Sequence, residues 1–296
     1  MGKGEGQKSW GWLVVIYVFL AGCGGGTFLF SFVLDFLGLY EPVARTGLLI
    51  GPILVAIGSL MLIFDLGSPG RAYRLFTTGK TLMSSWMVRG SWFIAAFIVL
   101  GLACALPSFS LFEWLPWNKT SVPGEIIGIT AALLSIVVPI YPGLLLGVIR
   151  SVPLWNTPAL PPLFFLSGLD TGVAVLALVS VLFPAVVGIE GFHLLAVGDM
   201  VLIVLLLIAL LAYIEIVRQS GVTAAESIHL LKRPLFIGGV IISGMLVPLG
   251  LLILGAFISD IGVVVAIEAA TAVLILVGGV LLRYSVVRSG VRLVVR

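Results

Sequence analysis

Eight long apolar runs divide this chain of 296 residues, and they restrict its fold more than any other feature. Crossing the hydrocarbon core as a helix takes about 20 apolar residues. Because hydrocarbon offers no hydrogen bonds, a spanning backbone must form helices or a closed barrel. Barrel strands alternate apolar and polar residues over about ten positions, whereas these runs are continuous. The predicted fold class is an all-α integral membrane protein, with helices near 12–37, 46–65, 91–106, 124–149, 162–184, 197–217, 235–257 and 261–283.

The composition leaves no room for a soluble catalytic domain. Hydrophobic residues make up 60% of the chain and charged residues 10%, whereas a soluble domain carries about 25% charged residues. Only the loops after the second and third helices are sizeable, so demanding chemistry has to come from a bound cofactor or a partner. The first apolar run follows a polar start, but its length and its glycines favour a retained helix over a signal peptide.

The cysteines and histidines limit the cofactors that this protein can hold. An iron–sulfur cluster takes about four cysteines, and Cys23 and Cys104, the two present, lie inside predicted helices as packing residues. A haem buried among helices usually needs a histidine ligand, and His193 and His229 both fall in predicted loops. We therefore expect no haem, iron–sulfur cluster or other metal in this protein, and no nucleic-acid partner.

Basic residues are distributed very unequally between the two sides of the membrane. Eight spans put both termini and the loops 66–90, 150–161 and 218–234 on one side, which holds 14 of the 16 basic residues. Only Arg45 and Lys119 lie opposite. The positive-inside rule predicts that this side, which we call the basic face, is the cytoplasmic face of the cell membrane, with both termini there. The same charge would also suit a docking surface for an acidic partner on either side of the membrane.

The first and fifth helices share a motif. Phe19-Leu20-Ala21-Gly22, which continues to Gly26, is similar to Phe165-Leu166-Ser167-Gly168, which continues to Gly172. Each half also closes its fourth helix with a glycine-rich turn and an arginine, Gly143 to Arg150 and Gly278-Gly279 to Arg283. The spacing covers four helices, an even number, so the copies would run in the same direction. This predicts two parallel four-helix bundles, residues 1–160 and 161–296, although chance similarity between common residue types is an alternative. The small-residue pairs Gly22/Gly26, Gly143/Gly147 and Gly168/Gly172 predict close helix packing.

Acidic residues within the apolar runs are functional candidates, because burying a charge in a bilayer is expensive. We interpret them as a proton route. The alternative is a secondary transporter or proton channel that uses the same carboxylates. A transporter is expected to show inverted repeats or helices broken at the midplane, whereas this repeat is parallel and the helix breakers gather at one face. The candidate acids are Asp35, Asp170, Asp199, Glu215 and Glu268.

Two polar clusters follow the second and fourth helices on the basic face. In the first, Gly67 and Pro69 break the helix, and Asp65 is near enough to Arg71 for an ion pair that pins the turn. In the second, Tyr141 lies beside Pro142, where its hydroxyl needs an inward partner.

Four motifs are spread across the first 160 residues: Tyr17-x-Phe19-Leu20-x-Gly22, Asp65-Leu66-Gly67-x-Pro69-x-Arg71, Met83-Ser84-x-Trp86, and Tyr141-x-Gly143-x-Leu145-Leu146 leading to Pro153-Leu154-Trp155. Their order and spacing resemble the NrfD-like, or polysulfide-reductase type, membrane subunits of multi-subunit oxidoreductases. The later helices match that family only in length and hydrophobicity.

This resemblance implies a haem-free site for a quinone or quinol, either menaquinone or ubiquinone, at the face that meets a ferredoxin-like iron–sulfur subunit. That subunit would connect to a molybdopterin-type or comparable catalytic subunit of a respiratory-type complex. In relatives, a histidine in the first helix and a tyrosine in the fourth hold the quinone; Tyr141 matches the tyrosine. The first helix has no histidine here, and Ser9, Trp10, Trp12 and Tyr17 are the substitutes. The implied quinone site is Tyr141, Tyr17, Trp10, Trp12, Asp65 and Arg71, and the implied docking surface is Arg71, Arg74, Ser84, Trp86, Arg89, Arg150 and Trp155.

Overall fold

The computed structural model describes residues 11–65, 86–112, 114–118, 121–231 and 233–291, and nearly all of them are helical. Two short 3₁₀ turns, Leu106–Ser108 and Ser110–Phe112, follow the third helix. We number the longer helices in sequence order: α1 (Trp12–Phe36), α2 (Glu41–Asp65), α3 (Trp86–Ala105), α4 (Val122–Gly147), α5 (Leu160–Val181), α6 (Pro184–Arg218), α7 (Val222–Leu231), α8 (Leu235–Gly255) and α9 (Ile261–Arg288).

Every one of these helices except α7 is long and apolar enough to cross a membrane. The predicted class, an all-α multi-pass membrane protein with about eight spans, is therefore confirmed. The third span, predicted as a short run over 91–106, is full length, because α3 begins at Trp86 and the apolar span covers Val88–Ser108. Its first turn contains the exposed Arg89, whose charge interrupts the hydropathy pattern but can reach the polar interface at a helix end.

Helix α6 begins 13 residues before the predicted 197–217, at Pro184. A proline suits the first turn of a helix, where its missing N–H is not needed. Gly188 then adopts a φ of 63° and kinks the helix, a conformation that glycine adopts without strain. The prediction that both histidines lie in loops is therefore wrong. His193 belongs to α6 and His229 to α7.

Helix α9 continues to Arg288, five residues beyond the predicted end at 283. The predicted glycine-rich turn at Gly278-Gly279 is wrong, because both residues are helical and buried. Gly278 instead lets α8 approach, since a methyl group on it would lie 2.5 Å from the Cα of Gly244. Arg283, counted above among the basic residues of the face, is buried inside the helix bundle.

Helices α1 and α5 cross backbone to backbone at the two copies of the repeated motif. A methyl group on Gly26 would overlap the carbonyl of Gly168. One on Gly172 would lie 2.5 Å from the amide nitrogen of Thr27 and 2.6 Å from the Cα of Gly26. Small residues permit such a separation inside a membrane, where close packing drives helix association. The predicted packing role of these glycines is confirmed.

The α1/α5 pair lies at the centre of the molecule. Helix α4 packs against both α1 and α5, and so does α9. The two sequence halves therefore share an extensive contact. The division into bundles of residues 1–160 and 161–296 stays a prediction.

Contacts between distant segments build the basic face. The ring of Trp12, at the start of α1, stacks on Tyr284 near the end of α9, with 4.5 Å between the centroids. The Tyr213 hydroxyl in α6 donates a hydrogen bond of 2.8 Å to the carbonyl of Leu154, in the connection between α4 and α5. The side chains near this face are thus held by four different parts of the sequence.

Candidate functional site

Two tyrosines lie buried beneath the basic face, Tyr17 in the second turn of α1 and Tyr141 near the end of α4. Their exposed fractions are 1% and 6%, and their phenol groups are close enough to interact electrostatically. We call them the phenol pair. No described residue forms a hydrogen bond with the Tyr17 hydroxyl. Since buried polar groups are nearly always satisfied, this hydroxyl is suited to donate to a ligand atom.

The backbone of α3 fixes the position of Tyr141. A methyl group on Gly90 would overlap the Tyr141 ring at Cδ2, Cε2 and Cζ, so the ring lies directly on the glycine. Pro139 and Pro142 flank the tyrosine inside a continuous α4. Neither proline has an N–H to donate to the helical ladder. The ring of Tyr141 is therefore held against the backbone of α3, next to a part of α4 that has fewer helical hydrogen bonds.

Three carboxylates form a second buried site, which we call the acid cluster. Asp170 lies near the middle of α5, Asp199 near the middle of α6, and Glu268 two turns into α9. Each is at most 3% exposed, and Asp199 interacts electrostatically with both of the others. Among the described residues, nothing hydrogen-bonds to Asp170 Oδ1, either oxygen of Asp199 or Glu268 Oε2. Like charges cannot share such a site, so protons have to reside on it.

The structure brings together three of the five predicted proton-route acids and leaves two apart. Glu215 is exposed, accepts a 3.0 Å hydrogen bond from Arg218, and forms an ion pair with it at the end of α6. Asp35 is half-buried near the C-terminal end of α1, away from Tyr17. Asp199, which hydropathy placed near a helix end, is central because α6 starts early. The proton route through these acids stays a prediction.

A cavity of about 560 Å³ opens at the face opposite the phenol pair. Arg45, Leu49 and the 3₁₀ turns at 106–112 line it. Neither the phenol pair nor the acid cluster lines this cavity. The cavity is therefore separate from both sites.

A sequence model of the family described as "Polysulphide reductase, NrfD" matches residues 3–295 of this protein. The chain belongs to the NrfD polysulphide reductase family. The predicted family is thus confirmed, and the match extends across the later helices, where the motifs gave no signal. Members of this family are generally membrane anchor subunits of oxidoreductase complexes.

Individual relatives match over a little more than half of the sequence. A polysulfide reductase subunit of Wolinella succinogenes is 30% identical in an alignment of 188 residues, with a coverage of 59% of this protein and 59% of that subunit. Protein NrfD of Escherichia coli is 29% identical over 185 residues, covering 56% of this protein and 58% of the relative. The chain therefore spans less than three fifths of the length of the curated relatives it matches.

Of the other predicted quinone residues, Trp12 is the one whose side chain lies within the described part of the structure. Trp12 stacks on Tyr284, and its side chain is 52% exposed. Trp10, Arg71 and the side chain of Asp65 lie outside the described residues. For this NrfD-family protein, the phenol pair is the part of the predicted quinone site whose geometry is known.

The predicted docking residues divide in a similar way. Arg89 and Arg150 are exposed on the basic face. Trp155 is buried, and its indole donates a 2.9 Å hydrogen bond to the carbonyl of Val286, so it supports the α4–α5 connection from inside. Docking through that connection stays a prediction. Arg71, Arg74, Ser84 and the side chain of Trp86 lie outside the described residues.

The sequence reasoning missed Arg283 as a functional candidate. This arginine lies at the α1/α5 crossing, where its Nη1 donates to Ser167, and it interacts electrostatically with Asp170. The sequence indicated a buried charge, because apolar residues precede Arg283 and Val286-Val287 follow it. Placing the helix end at 283 hid that signal.

Proposed function

We propose that this protein is a haem-free membrane anchor that binds a quinone or quinol and exchanges electrons with an iron–sulfur subunit of an oxidoreductase complex. The observation that carries the proposal is the phenol pair, buried beneath the basic face of an NrfD-family protein, with no described residue hydrogen-bonded to the Tyr17 hydroxyl. Bound quinone would supply two-electron, two-proton redox chemistry. The hydroxyls of Tyr17 and Tyr141 would hold its ring oxygens.

Phenols suit this task because they donate a hydrogen bond without bringing a charge into a medium of low dielectric constant. Two donors can orient a ring that carries an oxygen at each end. The protons that accompany the electrons need a polar route. In this proposal Arg283 and the acid cluster provide that route away from the basic face. Glu268 and Arg283 are 15 residues apart on α9, so the route covers roughly 22 Å along the helix.

Tyr141→Phe tests the quinone site because it removes the hydroxyl and keeps the ring that packs on Gly90. Quinol-analogue turnover by the intact purified complex should fall by about one to two decades, the equivalent of about 1–3 kcal/mol. Tyr40→Phe, the same change beyond the opposite end of α1, should leave turnover unchanged. Wild-type turnover in a fully assembled Tyr141→Phe complex would remove Tyr141 from the site.

The acid cluster is the observation that favours the second candidate, a proton channel or secondary transporter. The two functions differ in what drives proton movement. If proteoliposomes holding this protein alone, without quinone or partner, moved protons down an imposed gradient at high rates, transport would be favoured. Proton movement only during quinol turnover supports the anchor.

We further propose that the partner is a ferredoxin-like iron–sulfur subunit, linked to a molybdopterin-type or comparable catalytic subunit, and that it docks on the basic face. Close approach there places its cluster near the phenol pair. The double reversal Arg150→Glu/Arg233→Glu, at two exposed positions of this face, should weaken partner binding about tenfold at low salt. Arg45→Glu at the opposite face is the matched control. Equal loss in both variants, measured by binding to the protein held in nanodiscs, would contradict docking on the basic face.

The basic face is, in this proposal, cytoplasmic, as the positive-inside rule indicates for residues other than the buried Arg283. A reporter fused after Arg296 reads the orientation directly. Activity from a reporter that works only outside the cytoplasm would reverse the assignment.

A further inference from the structure

Arg283 is a fully buried cation in a membrane-spanning helix. Its Nη1 donates hydrogen bonds of 2.8 Å to Ser167 Oγ and 2.9 Å to the carbonyl of Gly279. The guanidinium carbon lies 5.4 Å from the centre of the Phe19 ring. These contacts fix the group at the junction of α1, α5 and α9.

The surroundings of Arg283 leave its charge incompletely paired. Among the described residues, neither Nε nor Nη2 has a hydrogen-bond partner, and no carboxylate lies within ion-pair distance. Nη2 lies against the backbone of α1, where a methyl group on Gly22 would come within 2.7 Å of it. An isolated charge in a bilayer is strongly disfavoured, so a nearby group has to supply an anion.

Two titratable groups interact electrostatically with Arg283, the Cys23 thiol and the Asp170 carboxylate. The Cys23 sulfur donates to the carbonyl of Thr171, at 3.5 Å, which requires a neutral thiol. Asp170 has an oxygen without a described partner, and in its ordinary state its pKa lies several units below that of a cysteine thiol. It also lies one helical turn after Ser167, whose hydroxyl accepts from Arg283, so Asp170 is the group best placed to supply the negative charge.

We propose that Arg283 sets the charge of the acid cluster, holding one of the three carboxylates ionised while the other two keep their protons. One ionised carboxylate is expected because one guanidinium balances one negative charge. A second ionised carboxylate would repel the first. Arginine suits this role, since its guanidinium stays protonated at physiological pH even when it is buried. Arg283 is thus a positioning residue for the proton route. Its functional role rests on the proton route proposed above.

The charge balance defines a step that conserves protons. A proton that arrives on the ionised Asp170 makes a third carboxylic acid and leaves Arg283 without a counter-charge. Asp199 or Glu268 then releases a proton toward the opposite face, and the remaining protons redistribute until Asp170 is again the anion. One proton has entered, one has left, and two remain on the acid cluster.

Infrared spectroscopy of the full-length protein in nanodiscs counts the stored protons without quinone, partner or turnover. The reference is the carboxylic-acid carbonyl band that is lost in the Asp170→Asn/Asp199→Asn/Glu268→Gln variant. In Arg283→Gln, which loses the cation, this band should grow by about one half, from two protonated carboxyls to three. Arg283→Lys, which keeps the cation, should retain the original intensity.

A second variant keeps the proposal testable if Arg283→Gln does not fold. Asp199→Asn leaves two acids and the cation, so the band should fall to one half. A fall to two thirds would mean that all three acids were protonated and would overturn the proposal, as would an unchanged band in a folded Arg283→Gln variant. Cys23→Ala should leave the band unchanged; a decrease would identify the thiolate as the counter-anion instead. These outcomes are independent of quinol turnover, so they separate this inference from the proposed function.

Discussion

Replacing Gly172 by alanine is expected to destabilise the folded protein by about 3 kcal/mol, near the upper end of the range for overpacking. The added methyl group would lie 2.5 Å from the amide nitrogen of Thr27 and 2.6 Å from the Cα of Gly26. Both are backbone atoms, so no rotamer change relieves the overlap and α1 has to move from α5. Because α4 and α9 pack on both helices, that displacement disturbs the whole bundle.

The measurement is the apparent midpoint of thermal unfolding in nanodiscs, together with the yield of monodisperse protein. Gly250→Ala is the matched control, since a methyl group there meets nothing within 4 Å. That substitution should change stability by less than about 1 kcal/mol, with alanine the better helix former. Similar midpoints in the two variants would show that α1 and α5 do not meet at these glycines.

Gly90→Ala is expected to slow quinol turnover by about a hundredfold without altering any polar group of the site. The new methyl group would overlap the Tyr141 ring, and a displacement of about 1 Å at a reacting site can cost about a hundredfold. We expect this loss to equal or exceed that of Tyr141→Phe, because the whole phenol moves instead of losing one hydrogen bond. Gly238→Ala, another helical glycine with open space around it, should turn over normally.

A double variant identifies the cause of that loss. The overlap in Gly90→Ala should also lower the unfolding midpoint. Gly90→Ala/Tyr141→Leu replaces the ring with a smaller side chain, so it should recover the wild-type midpoint while quinol turnover stays slow. Recovery of both properties would contradict a role for the phenol. If neither recovered, the clash would lie elsewhere in α3.

Local sequence was sufficient for the class of fold and for the family. Continuous apolar runs determine spanning helices because a backbone in hydrocarbon has to satisfy its own hydrogen bonds. Prediction of the boundaries failed where a polar residue lies within a helix, as with Arg89 in α3, or where a glycine kink and charged residues precede the apolar run, as in α6. A hydropathy window averages such positions with their neighbours and cannot distinguish a polar helical turn from a loop.

Only the tertiary structure decided which polar residues share a site. Asp170, Asp199, Glu268 and Arg283 come from three helices spread over more than a hundred residues, and nothing in their spacing shows that they face one another. The hydropathy pattern predicts the same position, near a helix end, for Glu215 and Asp199. In the structure Glu215 is exposed in a surface ion pair, whereas Asp199 is buried in the acid cluster. The physical reason is that a helix fixes the direction of each residue relative to its own axis, whereas the rotation of each helix about that axis is set by packing. Here that packing depends on the glycines through which α1 and α5 cross.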